Sequence, residues 1–168
     1  MTRVLISLGS NIRPRQHLQQ AVERLRERSR VLAVSPVYET RPIGPDGKPT
    51  PDQPRFFNAA ALIETDLDAA TLKNCVLRPI EEELGRERRP NKYAPRTIDL
   101  DITLFGDQVL DLDSRHIPDP DLLQYAHIAR PLADLEPDFR HPEDGRTLAE
   151  IADALPQTGV APRPDVSL

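Results

Sequence analysis

The chain has 168 residues and carries 22 Lys and Arg against 27 Asp and Glu, a formal net charge of −5 at pH 7. That length fits one domain with a real core and excludes two full ones. The acidic balance argues against general nucleic-acid binding, which favours a basic face, but leaves room for a local basic pocket that takes a small polyphosphate. A single cysteine, Cys75, excludes an internal disulfide framework and a cysteine-based zinc site. No apolar run nears membrane-spanning length and MTRVLISLGS lacks a signal peptide's organisation, so a cytoplasmic setting is expected, with no membrane partner. Eighteen prolines, roughly twice average usage, predict long loops.

Residues 3–8 (RVLISL) are β-branched and aliphatic and end at the turn chemistry of Gly9-Ser10-Asn11, which predicts a first strand. Residues 15–29 place Leu18, Ala21, Val22 and Leu25 at helical spacing. Residues 31–38 (VLAVSPVY) read as a second strand that Pro36 demotes toward an edge. Residues 41–55 hold five prolines and two glycines with no hydrophobic period, which is either a binding lid or an unstructured loop. Residues 56–65 (FFNAAALIET) predict a third strand. Asp68 is a candidate N-cap for a helix running to about Leu84, with a kink or restart at Pro79 and a left-handed close at Gly85.

Residues 98–105 alternate, with Ile98, Leu100, Ile102 and Leu104 on one side and Asp99, Asp101, Thr103 and Phe105 on the other. Gly106-Asp107 makes a turn, with residues 108–112 completing a hairpin. A short helix near 121–126, an apolar stretch near 128–132 and a helix over about 147–155 follow. The order predicts an α+β fold: a ferredoxin-like β-α-β-β-α-β sandwich, antiparallel, with helices on one face, plus a C-terminal hairpin and helices. Residues 1–160 are expected to form a single domain and 161–168 a frayed tail.

Asp99 and Asp101 are two apart on a strand, so both carboxylates point to one side and repel. Alone, such a pair is either a solvated face or an oxygen-ligand site for Mg²⁺. Just upstream, Arg86, Arg88, Arg89, Lys92 and Arg96 crowd into eleven residues, offset only by Glu87. Arginine donors suit phosphate oxygens, and a basic cluster leading into paired acids is what phosphoryl transfer requires. No G-x-x-x-x-G-K-[ST] occurs, so the chain is not a P-loop enzyme.

Five stretches then resemble, in order, the 6-hydroxymethyl-7,8-dihydropterin pyrophosphokinase family: LISLGSN (5–11), SPVYET-x-P-x-G (35–44), FFNAA (56–60), E-x-x-LGR-x-R (81–88) and APRTIDLDI-x-LFGD (94–107). The resemblance implies a ferredoxin-like core and an enzyme that moves pyrophosphate from ATP to the pterin alcohol, giving AMP and the pterin diphosphate for folate biosynthesis. It implies that Asp99 and Asp101 bind two Mg²⁺ ions and that Arg86 and Arg96 hold and polarise the transferred phosphates. Glu81, Arg88 and Lys92, with Arg96, would contact ATP. Thr40, Ile43, Phe56, Asn58 and His127 would contact the pterin. The partners expected are ATP and a hydroxymethylpterin, for a chain acting as a monomer or weak homodimer.

The chain departs from the family pattern in IPDPDLLQYAHIARPL (117–132), where Asp119, Tyr125 and His127 stand in place of the usual His, Arg and Phe. These changes leave two alternatives: a paralogue acting on a related pterin, as in a methanopterin-type pathway, or a non-catalytic pterin- or nucleotide-binding module.

Overall fold

The computed structural model describes residues 1–50 and 52–168; Pro51, in the proline-rich loop, lies outside them. Strand β1 (Thr2–Ser10) lies between β4 (Phe56–Thr65) and β5 (Asp99–Phe105), antiparallel to both. The far edge of β4 pairs first with β2 (Arg30–Val34) and then with β3 (Tyr38–Thr40). The predicted second strand is therefore two, broken around Pro36, which has no N–H for the ladder. Ser35 fills the gap: its N–H donates to the Ala60 carbonyl at 2.9 Å and its hydroxyl accepts from the Ala60 N–H at 2.8 Å.

Helix α1 (Pro14–Arg28) packs its stripe of Leu18, Ala21, Val22 and Leu25 on one face of the sheet, over Ile6 and Ile63. A broken helix joins it there: α2 (Ala69–Leu72), a wider π turn (Lys73–Leu77), then α3 (Arg78–Glu83). Asp68 caps α2 by accepting from the Thr71 N–H at 2.7 Å, and Gly85 closes α3 at φ +79°. The π turn is the predicted interruption. It sets Pro79 at the start of a new helical segment, where its missing N–H costs nothing.

Helices are not confined to one face as the sequence suggested. Helices α4 (Ala126–Leu135) and α5 (Leu148–Ala154) cover the opposite face, over Leu5, Ala60, Leu62 and Leu104. Double coverage explains why β4 is a continuous apolar run rather than an alternating one.

Three further expectations are corrected. Residue pairing shifts between Leu5↔Leu104 and Ile6↔Ile102, so Thr103 is an extra, bulged residue. The bulge sends Phe105 to the core that holds Ile102 and sends Leu104 to the other one. Residues 110–112 form β6 (Leu110–Leu112) and pair not with β5 but with β7 (Arg115–Ile117), as a separate two-stranded ribbon. The tail does not fray. Strand β8 (Ala161–Pro162) pairs with β3, the Arg163 guanidinium stacks 4.8 Å from the Phe57 ring, and Val166 is only 5% exposed in the main core. Among the described residues no helix is long and apolar enough to cross a membrane.

Candidate active site

Sheet register builds the floor of the site. Tyr38, Asn58, Gly9 and Asp99 lie in one row across β3, β4, β1 and β5. Gly9 has no side chain, so the floor between Asn58 and Asp99 stays open. The alternation read from the sequence holds for residues 98–102, ahead of the bulge. Ile98, Leu100 and Ile102 are buried in the main core, and the two aspartates face away from it.

Two cavities meet over this row. The first, about 470 Å³, is lined by Thr40, Ile43, Phe56, Asn58 and His127, all five residues expected on the pterin side. The second, about 340 Å³, is lined by Glu81, Arg86 and Arg88, expected on the nucleotide side. Lys92, Arg96, Asp99 and Asp101 line both. Every residue singled out from the sequence thus belongs to one continuous cleft, with the paired acids at the junction.

Local contacts hold these groups in place. Asn58 is buried and donates from Nδ2 to Thr40 Oγ1 at 2.8 Å. The residue range 42–50 is a small ribbon, with Ile43 bridged to Pro49 and the Thr50 N–H bonded to the Pro42 carbonyl at 2.9 Å. Arg96 Nη1 donates to Asp99 Oδ2 at 2.7 Å, its Nη2 to the Lys92 carbonyl, and its guanidinium lies 5.8 Å from the Phe56 ring. Glu81 is buried under β5, accepting the Leu100 N–H at 2.8 Å and pairing with Arg88 at 3.0 Å. It thereby satisfies the strand's open edge between the two aspartates, and burial pushes its carboxyl up to about 7.

Two contributors were not singled out as site residues from the sequence. Asn11, 1% exposed, accepts the Arg96 N–H at 2.8 Å on Oδ1 and donates from Nδ2 to the Pro54 carbonyl at 3.3 Å. It ties the end of β1 to both loops of the cleft, and its position in LISLGSN gave no hint of those partners. Arg115 reaches Asp101 at 3.0 Å from β7, a contact between separate sheets that no spacing in the sequence encodes.

The departures are also placed. Asp119 caps the 3₁₀ turn Pro120–Leu123 by accepting the Asp121 N–H at 3.0 Å, and lies 3.8 Å from Arg115. Tyr125 and His127 have ring centroids 5.3 Å apart and line the first cavity beside Phe56. Burial pushes His127 down to about 4, with Asp121 opposing weakly, so its ring is neutral at pH 7. Its folded value lies below the unfolded one of about 6.5. Its contribution to stability is therefore full above that unfolded value and is lost as pH falls toward 4. An NMR titration of the His127 ring should show a midpoint far below 6; a midpoint near 6.5 would contradict its burial.

Asp99 and Asp101 fit a hard divalent cation. They offer only oxygen donors, each is part-exposed to the cleft, and among the described residues no third acid, His or Cys completes a closed metal cage. Mg²⁺ takes one or two carboxylates and draws its remaining ligands from water and substrate phosphates. Without a cation, burial and the charge of Asp99 push the Asp101 carboxyl up, and the Arg115 guanidinium pulls it back down.

Paired acids joining a basic cavity to a ring-lined one, on an antiparallel sheet covered by helices, define an enzyme of phosphate-group transfer. Residues 5–137 match the model of the 7,8-dihydro-6-hydroxymethylpterin-pyrophosphokinase family. The 2-amino-4-hydroxy-6-hydroxymethyldihydropteridine pyrophosphokinase of Pseudomonas aeruginosa is 45% identical over 162 residues, covering 94% of each chain. The Bacillus subtilis protein of the same name is 38% identical over 133 residues, 77% of this chain and 75% of that one. The chain belongs to this family of pyrophosphokinases. The crystal structure of Plasmodium falciparum HPPK-DHPS shares the fold, with a TM-score of 0.67 at 14% identity. That match takes in 90% of this chain and 44% of the longer one.

Proposed function

We propose that the protein transfers the pyrophosphoryl group of ATP to 6-hydroxymethyl-7,8-dihydropterin, yielding AMP and the pterin diphosphate, the folate-pathway step. The observation that carries this is the position of Asp99 and Asp101, where the ring-lined cavity opens into the basic one. Strand order β5–β1–β4–β2, with α1 and α2–α3 as the crossovers, supports reading the frame as ferredoxin-like.

In this reading the first cavity takes the flat heterocycle. Phe56 and His127 supply ring faces, and the buried Asn58–Thr40 pair supplies the polar edge that reads its amide-like atoms. A neutral His127 adds no charge beside the ring. The second cavity takes the triphosphate, with Arg86, Arg88, Lys92 and Arg96 supplying donors. Asp99 and Asp101 would hold two Mg²⁺ ions, which would offset phosphate charge and lower the barrier to displacement.

The hydroxymethyl oxygen gives up its proton to solvent water and attacks the β-phosphorus; the new O–P bond forms as the α–β bridge breaks, and AMP leaves with the bridging oxygen and its electron pair. Arg96 sits at the junction and absorbs charge on the transferring group. Holding both substrates end to end supplies much of the remaining acceleration. Incubating the protein with ATP, Mg²⁺ and 6-hydroxymethyl-7,8-dihydropterin should release one AMP per pterin diphosphate. Release of ADP in place of AMP, or tight pterin binding with no nucleotide cleaved, would overturn the reading.

A further inference from the structure

We propose that Arg115 is a resident counter-charge for the acid pair. It neutralises Asp101 in the substrate-free site and is handed to the nucleotide's phosphates when a divalent cation takes that carboxylate. The inference rests on the phosphate-transfer reading above and assigns a positioning role to a residue that no sequence motif marked.

The case begins with placement. Arg115 opens β7, in a ribbon that pairs only with β6 and stands apart from the main sheet. Its guanidinium is 3.0 Å from Asp101 Oδ1 and 3.8 Å from Asp119 Oδ2, and it lines both cavities. Arg96, the other arginine at the junction, is held by Asp99, by the Lys92 carbonyl and by the face of Phe56, with a side chain 20% exposed. The Arg115 side chain is 49% exposed, and among the described residues its charged partners are Asp101 and Asp119 alone. Of the two, Arg115 is the less tightly held.

Charge supplies the motive. Asp99, Asp101, Asp119 and Asp121 all line the first cavity. A cation bound at Asp101 displaces a guanidinium 3.0 Å away, because like charges then share one carboxylate. The released arginine does not escape, because Asp119 is itself fixed. Its carboxylate caps the 3₁₀ turn and its N–H donates to the bulged Thr103 carbonyl at 3.0 Å. Asp119 therefore acts as a tether that keeps the freed guanidinium facing the phosphates, with Asp101 and the nucleotide as its alternative partners.

The prediction has two signs. Measured by Mn²⁺ electron paramagnetic resonance without nucleotide, Arg115→Gln should bind the ion about 3- to 10-fold more tightly than the wild type, because a competitor for Asp101 is gone. Measured by calorimetry with Mg²⁺ and α,β-methylene ATP, the same variant should bind about 10- to 100-fold more weakly. Arg115→Lys, which keeps the charge but not the fork, should fall between on both. A merely structural role for Arg115 would weaken both ligands together. Changes of the same sign, or no change, in a wild type that makes AMP overturn this inference alone. A wild type that makes no AMP overturns the phosphate-transfer reading, and this proposal with it.

Discussion

Asp99→Ala should reduce AMP formation by about 10³-fold or more while leaving the fold intact. A cation at a transferring phosphate supplies several kcal/mol of charge stabilisation, and each ~1.4 kcal/mol is a factor of ten in rate. In the proposed site Asp99 is a ligand without a substitute, because among the described residues no third acid, His or Cys stands with the pair as a metal cage. The fold should not suffer. Asp99 is the first residue of β5, its side chain is part-exposed, and its repulsion helps push Asp101 up. Relief of that repulsion offsets the lost Arg96 pair, so the thermal midpoint should stay level or rise. Single-turnover assays beside a melting curve check both halves. Retained turnover would remove the metal assignment, and a collapsed melting curve would recast Asp99 as structural.

Arg96→Ala should lower kcat/KM for ATP by about 10²- to 10³-fold, the cost of one well-placed charge donor. Its backbone is anchored independently of the side chain. The Asn11 side chain accepts the Arg96 N–H, and the Asn11 N–H donates to the Arg96 carbonyl at 3.1 Å. The loop therefore keeps its course when the guanidinium is removed, and the loss reads out on chemistry. Arg96→Lys should recover little, because an ammonium has no planar fork to span Asp99 and a phosphate oxygen together. Steady-state kinetics of both variants check this, and an Arg96→Lys enzyme with wild-type kcat/KM would leave the guanidinium without its assigned part.

What the sequence disclosed follows from how local each signal is. Asp99 and Asp101 were legible because strand periodicity alone puts them side by side. The Asp68 cap and the Gly85 close are encoded within a turn of their sites. The break at Pro79 was legible, but its form was not, since a π turn depends on how the flanking helices pack. The Thr103 bulge was invisible because an inserted residue leaves the apolar pattern nearly unchanged and shows only against a partner strand. The second helical layer was hidden for a related reason: the run FFNAAALI is apolar whichever face is covered. Arg115 and Asn11 act through partners far along the chain, and residue type alone gives neither away.

Strand β8 has a consequence for how the wall around Thr40 is assembled. Tyr38 pairs with Pro162, the greatest sequence separation of any strand pairing in the sheet, and Arg163 donates its N–H to the Val37 carbonyl at 2.8 Å. Contacts so distant in sequence carry the largest loop-closure cost and form late. The strand that presents Thr40 is thus buttressed only once residues 161–163 have joined the sheet, later than the β1–β5 ladder that carries Asp99 and Asp101.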